Sequence, residues 1–449
     1  MKYCLSFLLG LSAAVLNAQS GTHPVTLPEV IDLALNNSAQ LRKAKLDRQG
    51  FESRLREGRS AAYPQINAVV SLDAYPSLPT QLMPGEVLGR SDDSYVPVQF
   101  GQPWQLGGMI NIDQAIYSES ARRMVPATNV SRSLFELLTE KAEEDVIFQT
   151  ANVFFQFLQA EAALRTVDAN LHKLSELERM VKLQVSNDYA VPTDVKRLRV
   201  AYNNLNTQKQ NLLAGIAALR QTLQFLCGVP YDSPFDPVWS DISEPGADST
   251  RWLSIQLEPE NTTEHRLLLH NIELNRIRAN SLRAEAYPSL GAYANLGFQT
   301  WREDANFLDT DHRWYGVAAL GFRLRIPVFD GFKRRNQLAL FSIDNQKLEE
   351  DRRQLVSARE LEYRQARDQL KNNLFALNTQ AENVRLAREI SETTLLPYKE
   401  GTAPLSELLN AQTALAEAET NYSQQTFAYR LSVLKLLKVT GHLDFLQKQ

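Results

Sequence analysis

Hydrophobic and polar positions alternate along this chain with two periods, and each period recurs in both halves. The first has period two. Ile66, Ala68, Val70, Leu72 and Ala74 fall on one side of an extended segment, with Gln65, Asn67, Ser71, Asp73 and Tyr75 on the other. Ile110, Ile112 and Ile116 oppose Asn111 and Asp113. Leu290, Ala292, Ala294, Leu296 and Phe298 oppose Tyr293, Asn295 and Gln299. Leu320, Phe322, Leu324, Ile326 and Val328 oppose Gly321, Arg323 and Arg325. This alternation predicts four β-strands of about ten residues, each with one apolar face.

The second period is helical. Ala127 to Val191 and Phe332 to Leu396 are equally long and hold neither glycine nor proline. As helices rising about 1.5 Å per residue, each would reach roughly 100 Å. Helices of that length need a coiled-coil partner, and the following segments supply it. Leu164, Val167, Leu171, Leu174, Val181 and Val185 keep three-four spacing, with Glu178 taking one slot. Val195, Leu198, Tyr202, Leu205 and Leu212 continue it, with Lys209 in one slot. In the second half Leu370, Leu374, Leu377, Ala381 and Val384 face Leu408, Ala411, Leu415, Ala418 and Tyr422. Such stripes predict two antiparallel hairpins packed knobs-into-holes. The run Glu140, Glu143, Glu144, Asp145 reads as a solvated helix face.

Shorter helices precede the strands. Thr26, Pro28 and Glu29 form a capping-box start, and Val30, Leu33, Ala34 and Leu41 give an apolar stripe. The matching helix is expected from Thr263 to Ala286. Both run to a Tyr-Pro, where proline disfavours helix at the residue before it. The landmarks therefore repeat in one order. Ala61 to Ile66 matches Glu285 to Leu290, Gln114 to Ser118 matches Ile326 to Asp330, and Thr193-Asp194-Val195 matches Ser406-Glu407-Leu408. The expected organisation is a signal peptide over 1–18, a first repeat over 19–227, a connector over 228–259, a second repeat over 260–441 and a tail over 442–449. Pro76 to Pro103 reads as a long loop peculiar to the first repeat. Trp239, Ile242 and Trp252 are expected to anchor the connector.

A sheet apolar on one face fits either a soluble sheet over a core or a transmembrane barrel with lipid outside and water inside. Arginines at 323 and 325 would be costly in a small core and unremarkable in a wet lumen. Tyr75, Trp104, Tyr117, Trp301, Trp314 and Tyr315 lie near strand ends, where an aromatic girdle would sit.

Composition narrows the classes. Lys2 followed by the apolar run Cys4 to Leu16 has the layout of a secretory signal peptide. Of two cysteines only Cys227 would remain, so no disulfide framework is expected. A formal charge of −4 argues against nucleic acid as a partner. No phosphate-binding loop, H-E-x-x-H pattern or nucleophile constellation occurs. The histidines are scattered, and His265 and His270 read as surface residues. Neither catalysis, a cofactor nor a metal is expected. A soluble periplasmic coiled-coil adaptor is the main alternative, although adaptors typically show one helical hairpin rather than two equal ones.

The duplicated order of helix, two strands, long helix, turn and helix resembles TolC-like outer-membrane efflux proteins over the mature length. Ile326-Pro327-Val328-Phe329-Asp330-Gly331 looks like that family's strand-to-helix junction. Tyr398-Lys399-Glu400-Gly401 through Glu407-Leu408-Leu409-Asn410-Ala411 is similar to its second helix turn. The resemblance implies a mainly α chain with membrane β-strands. Its two hairpins and four strands would contribute to a shared trimeric 12-stranded β-barrel and 12-helix α-barrel. Asn67, Asp73, Asn111, Asp113, Arg323 and Arg325 would then line the barrel lumen.

The resemblance further implies an outer-membrane exit duct with a periplasmic helical extension, embedded in outer-membrane lipid. It would dock a periplasmic adaptor, and through it an inner-membrane transporter, at its helix tips. By position those tips carry Asp188, Tyr189, Val191, Pro192 and Asp194 in the first turn and Gly401, Thr402, Pro404 and Glu407 in the second. Asp188 stands where the family has glycine. Asp188, Asp194, Glu400 and Glu407 could form an acidic ring there.

Overall fold

In the computed structural model the described residues are 24–89, 95–238, 246, 249–307 and 313–447. The expected signal peptide, Trp239 and Ile242 lie outside them. The chain forms β1 (Pro24–Val25), α1 (Leu27–Asn37), α2 (Ala39–Ser60), β2 (Gln65–Ala74), β3 (Thr80–Pro84), β4 (Tyr95–Gln99), β5 (Trp104–Tyr117), α3 (Glu119–Ser186) and α4 (Pro192–Cys227). It continues with β6 (Asp236–Pro237), α5 (Ser249–Leu253), α6 (Thr263–Ala284), β7 (Ser289–Arg302), β8 (Tyr315–Arg325), α7 (Lys333–Lys399) and α8 (Leu405–Thr440). Two compact units result, and each takes segments from both halves of the sequence. One comprises the chain up to Ala44 with Thr139–His265 and everything from Leu355 onward; the other comprises Lys45–Leu138 and Arg266–Gln354.

The helical unit has a core of side chains from α1, α3, α4, α7 and α8. Phe154, Phe157, Leu223, Leu370, Leu434 and Leu437 are fully buried there, together with Val30, Ile31 and Ala34 of α1. The helix predicted from Thr26 is in fact two. Thr26 N–H donates to the Glu29 carboxylate at 2.7 Å and starts α1. Ser38, with ψ 125°, then leaves the helical region, and its Oγ accepts from Leu41 N–H to begin α2. Trp252 anchors the connector as expected, edge-on to Phe445. The Cys227 thiol, covered on all sides, is pushed up to about 12 by burial.

Both polar interruptions of the first hairpin's stripe are ion pairs across it. Glu178 of α3 lies 3.5 Å from Arg199 of α4 and 2.8 Å from Lys182. Lys209 of α4 lies 2.8 Å from Asp168 of α3. The acidic run needs correction, because these residues are half-buried in a network rather than on a solvated face. Glu144 accepts from Thr263 Oγ1 at 2.7 Å, and Asp145 lies within 3.9 Å of both Lys141 and Lys438. Glu264 holds Lys141 at 2.7 Å and Arg359 at 2.8 Å. His265 is also not a surface residue. It is buried, with Nδ1 3.2 Å from the Glu260 carbonyl. Helix α6 brings these partners against α3 and α7, contacts that a one-dimensional charge pattern does not encode.

The other unit holds a four-stranded antiparallel sheet of order β2-β5-β7-β8. The predicted loop over Pro76 to Pro103 contains a further hairpin, with Thr80 opposite Gln99 and Pro84 opposite Tyr95. Ile116 does not continue its strand's alternation. Ala115 pairs with Gly291 and Tyr117 with Leu290, so Ile116 is the extra residue of a bulge. Where β5 passes into α3, Glu119 accepts from Arg122 and Arg123 at 2.7–2.8 Å. These guanidiniums, Arg122 first, hold its carboxyl down at about 2.

Candidate functional site: a two-faced sheet and paired helix tips

Register sorts the sheet into two faces, since residues directly opposite share a side. Ile66, Ile112, Ala294 and Leu320 form one row across all four strands. Ala68, Ile110, Leu296 and Ala318 form the next, and Val70, Gly108, Phe298 and Gly316 the one after. This face is apolar and open to solvent in the single chain. The opposite face carries the row Asn67, Asn111, Asn295 and Ala319, and the row Gln65, Asp113, Tyr293 and Gly321. Asp73 faces Gln105 there, and Arg323 and Arg325 face Gly291 and Ser289. All six residues expected to line a lumen therefore share one face. Asn295 joins them, and the strict alternation of β7 marks it. Trp301 and Tyr315, 5.7 Å apart, also stand on this polar face, opposite Gln105 and Gln299.

Neither outer strand, β2 or β8, has a second partner among the described residues. Backbone donors and acceptors along both edges are left for another chain or for water.

At the hairpin ends both turns have the same backbone. Asp188 N–H donates to the Val185 carbonyl at 3.2 Å and Tyr189 N–H to the Gln184 carbonyl at 2.9 Å. In the second turn Gly401 N–H donates to Tyr398 at 3.1 Å and Thr402 N–H to Pro397 at 2.9 Å. Each is a Schellman motif, which requires a left-handed residue just past the helix. That residue is Asp188, φ 62°, in one turn and Gly401, φ 75°, in the other. Proline-compatible caps follow at Val191 and Pro404, both extended.

Asp188, Tyr189, Val191, Pro192, Gly401, Thr402, Pro404 and Glu407 are exposed, and Tyr189 retains 87% of its surface. Asp194 is half-buried and lies 3.4 Å from Arg197. Of the residues suggested for an acidic ring, Asp188, Glu400 and Glu407 are exposed, and Asp194 already has a basic partner.

Beneath these surfaces the two tips share a core of Leu177, Val181, Leu198, Tyr398, Leu405 and Leu408. Tyr398 Oη donates to Gln184 Oε1 at 2.8 Å, linking α7 to α3. Burial, with Asp194 nearby, raises the phenol above its ordinary value. Sequence reasoning missed this link. Tyr398 opens the motif around Gly401, but its partner lies 214 residues away.

Residues 266–442 match the family described as Outer membrane efflux protein. The chain is 22% identical over 441 residues to the probable efflux pump outer membrane protein SepC of Pseudomonas putida, covering 95% of this chain and 85% of SepC. It is 19% identical over 457 residues to the outer membrane protein TolC of Salmonella enteritidis, covering 99% of this chain and 87% of TolC. The solved outer membrane protein VceC of Vibrio cholerae shares the fold with a TM-score of 0.70 at 17% identity, covering 92% of this chain and 96% of that one.

A mostly helical chain with this sheet and these relatives is an outer-membrane efflux duct, a passive channel rather than an enzyme. It is similar to the TolC-like outer-membrane efflux proteins, and its helices extend into the periplasm as theirs do. In that family a trimeric channel works with the other components of a tripartite pump.

Proposed function

We propose that three copies of this chain close their sheets into one 12-stranded barrel and their hairpins into a 12-helix periplasmic tube. The observation that supports this most is the sheet itself, which has four strands, one apolar face and two open edges. Open edges are not tolerated in hydrocarbon, and bacterial barrels have at least about eight strands. A lone chain therefore cannot span the membrane, and pooled copies can. The apolar rows then face lipid, while Asn67, Asp73, Asn111, Asp113, Arg323 and Arg325 face water. On this reading the two sequence repeats are the units from which the tube's pseudo-symmetry is built.

The tips, Ser186 to Val195 and Lys399 to Leu408, dock a periplasmic adaptor and through it an inner-membrane transporter. Tyr189 and Val191 supply exposed apolar surface for that contact, and the shared left-handed turns hold both tips in one shape. Replacing Gly401 by Arg and Pro404 by Glu is expected to abolish adaptor co-purification while the trimer persists. Undiminished recovery of adaptor with an intact trimer would contradict the docking role.

A further inference from the structure

Charge on the polar face of the sheet is unevenly spread along the strands. Asp73 pairs with Gln105 toward one end of β2, whereas Arg323 and Arg325 occupy the opposite end, where β8 leads into α7. Asp113 is the carboxylate on this face nearest to the arginines in register. It sits on β5, two strands from β8, or about 10 Å at ordinary strand spacing. Among the described residues no salt bridge involves Arg323 or Arg325. Their charge is therefore not neutralised within the sheet.

Arg323 is also held in place. Tyr293 lies directly opposite Gly321, and a Cβ at position 321 would stand 3.0 Å from Tyr293 Oη and 3.1 Å from its Cζ. Only the missing side chain lets the ring lie across β8. The Arg323 guanidinium carbon sits 4.9 Å from the centroid of that ring, within cation–π range. A guanidinium fixed by its face keeps its N–H edge for a ligand, and that edge matches the paired oxygens of a carboxylate or phosphate.

We propose that Arg323 and Arg325, with Tyr293 as positioning residue, form an anion-binding belt that favours cargo bearing carboxylate or phosphate groups. The belt rests on the barrel reading, since only a closed barrel brings these residues around a shared lumen. Rings of basic side chains are the usual means by which pores favour anions. The repeated belt raises the local concentration of anions at the base of the barrel.

The test uses the full-length protein in planar bilayers under a potassium chloride gradient, with single-channel steps and reversal potential recorded together. Arg323→Gln combined with Arg325→Gln is expected to lower the chloride-to-potassium permeability ratio by about two-fold or more. Each single substitution should give a smaller shift in the same direction, and serves if the double variant fails to assemble. Potassium citrate should reduce the wild-type chloride current and lose that effect in the double variant. Tyr293→Leu keeps both charges and should weaken citrate block more than it moves the reversal potential.

Steps of normal size with an unchanged permeability ratio and undiminished citrate block would overturn the belt while leaving the channel standing. A Tyr293→Leu channel blocked like the wild type would overturn the positioning role. A wild type that produces no steps would overturn the barrel reading itself, and the belt with it.

Discussion

Leucine is treated in opposite ways by the helical tips and by the sheet. Leu198 and Leu408 are completely buried between hairpins, whereas Leu320 in β8 exposes 86% of its surface and its neighbour Phe322 exposes 74%. Both regions follow a strict hydrophobic pattern. The difference lies in where the cover comes from. At the tips the helical stripes meet other stripes of the same chain, so that core is buried within one molecule. Among the described residues the sheet has no second layer, and its apolar rows run across all four strands. A large exposed apolar face on an open-edged sheet is intolerable in water, and it suits a bilayer once the edges are paired.

Substitutions sharpen this contrast. Leu408→Ala removes a buried side chain from the tip core, and should cost about 2–5 kcal/mol of helical stability in thermal denaturation, with the sheet unaffected. Leu320→Arg, near the middle of β8, should cost roughly 2–4 kcal/mol on a lipid face, read as lost trimer in membranes. On a soluble sheet the same change at an exposed position would cost within about 0.5 kcal/mol. Normal trimer yield from Leu320→Arg would thus break the comparison.

A smaller effect separates the two tips. Asp188 and Gly401 share a left-handed conformation that costs a non-glycine residue about 1 kcal/mol. Asp188→Gly should therefore be neutral or mildly stabilising, while Gly401→Ala should destabilise by roughly that amount in the same melting assay. The smallest effect concerns acid. Glu119 titrates at about 2 when folded, against 4.5 for a free carboxyl. Its ion pairs contribute above the unfolded value and fade as pH falls through that window. The melting-temperature difference between the wild type and Glu119→Gln should shrink from pH 6 toward pH 3 and vanish at still lower pH; a constant difference would contradict the assignment.

Much of this architecture is legible in the chain itself. Period-two alternation locates all four strands of the sheet, because side-chain direction in a strand depends only on residue parity. The long stretches free of glycine and proline locate α3 and α7, although the helices also absorb Pro126 and Pro397 near their ends. What escapes sequence reading is set by contacts. The break at Ser38 comes from a side-chain cap, which a periodic stripe does not register. The bulge at Ile116 is defined by its partner on β7 rather than by its own segment. His265 and the acidic run are covered because α6 folds back against distant helices. The Gln184–Tyr398 bond joins turns that are far apart in sequence. Of the two surfaces, the polar-face residues of the sheet follow from parity, whereas the tips needed a family pattern, since exposed turns carry no packing signal.

The sharing of one barrel by several chains is best tested by cysteine cross-linking between outer strands. Within one chain β2 and β8 are three strand spacings apart, about 14 Å, far beyond disulfide reach. Cysteines at Asn67 or Ser71 in β2, paired with cysteines at Val317 or Ala319 in β8, sample neighbouring registers on the polar face. The account predicts that at least one such pair, oxidised in intact membranes, yields covalent dimers and a ladder ending at the trimer. Chains that remain monomeric with every pair, while the protein stays folded and membrane-embedded, would contradict it.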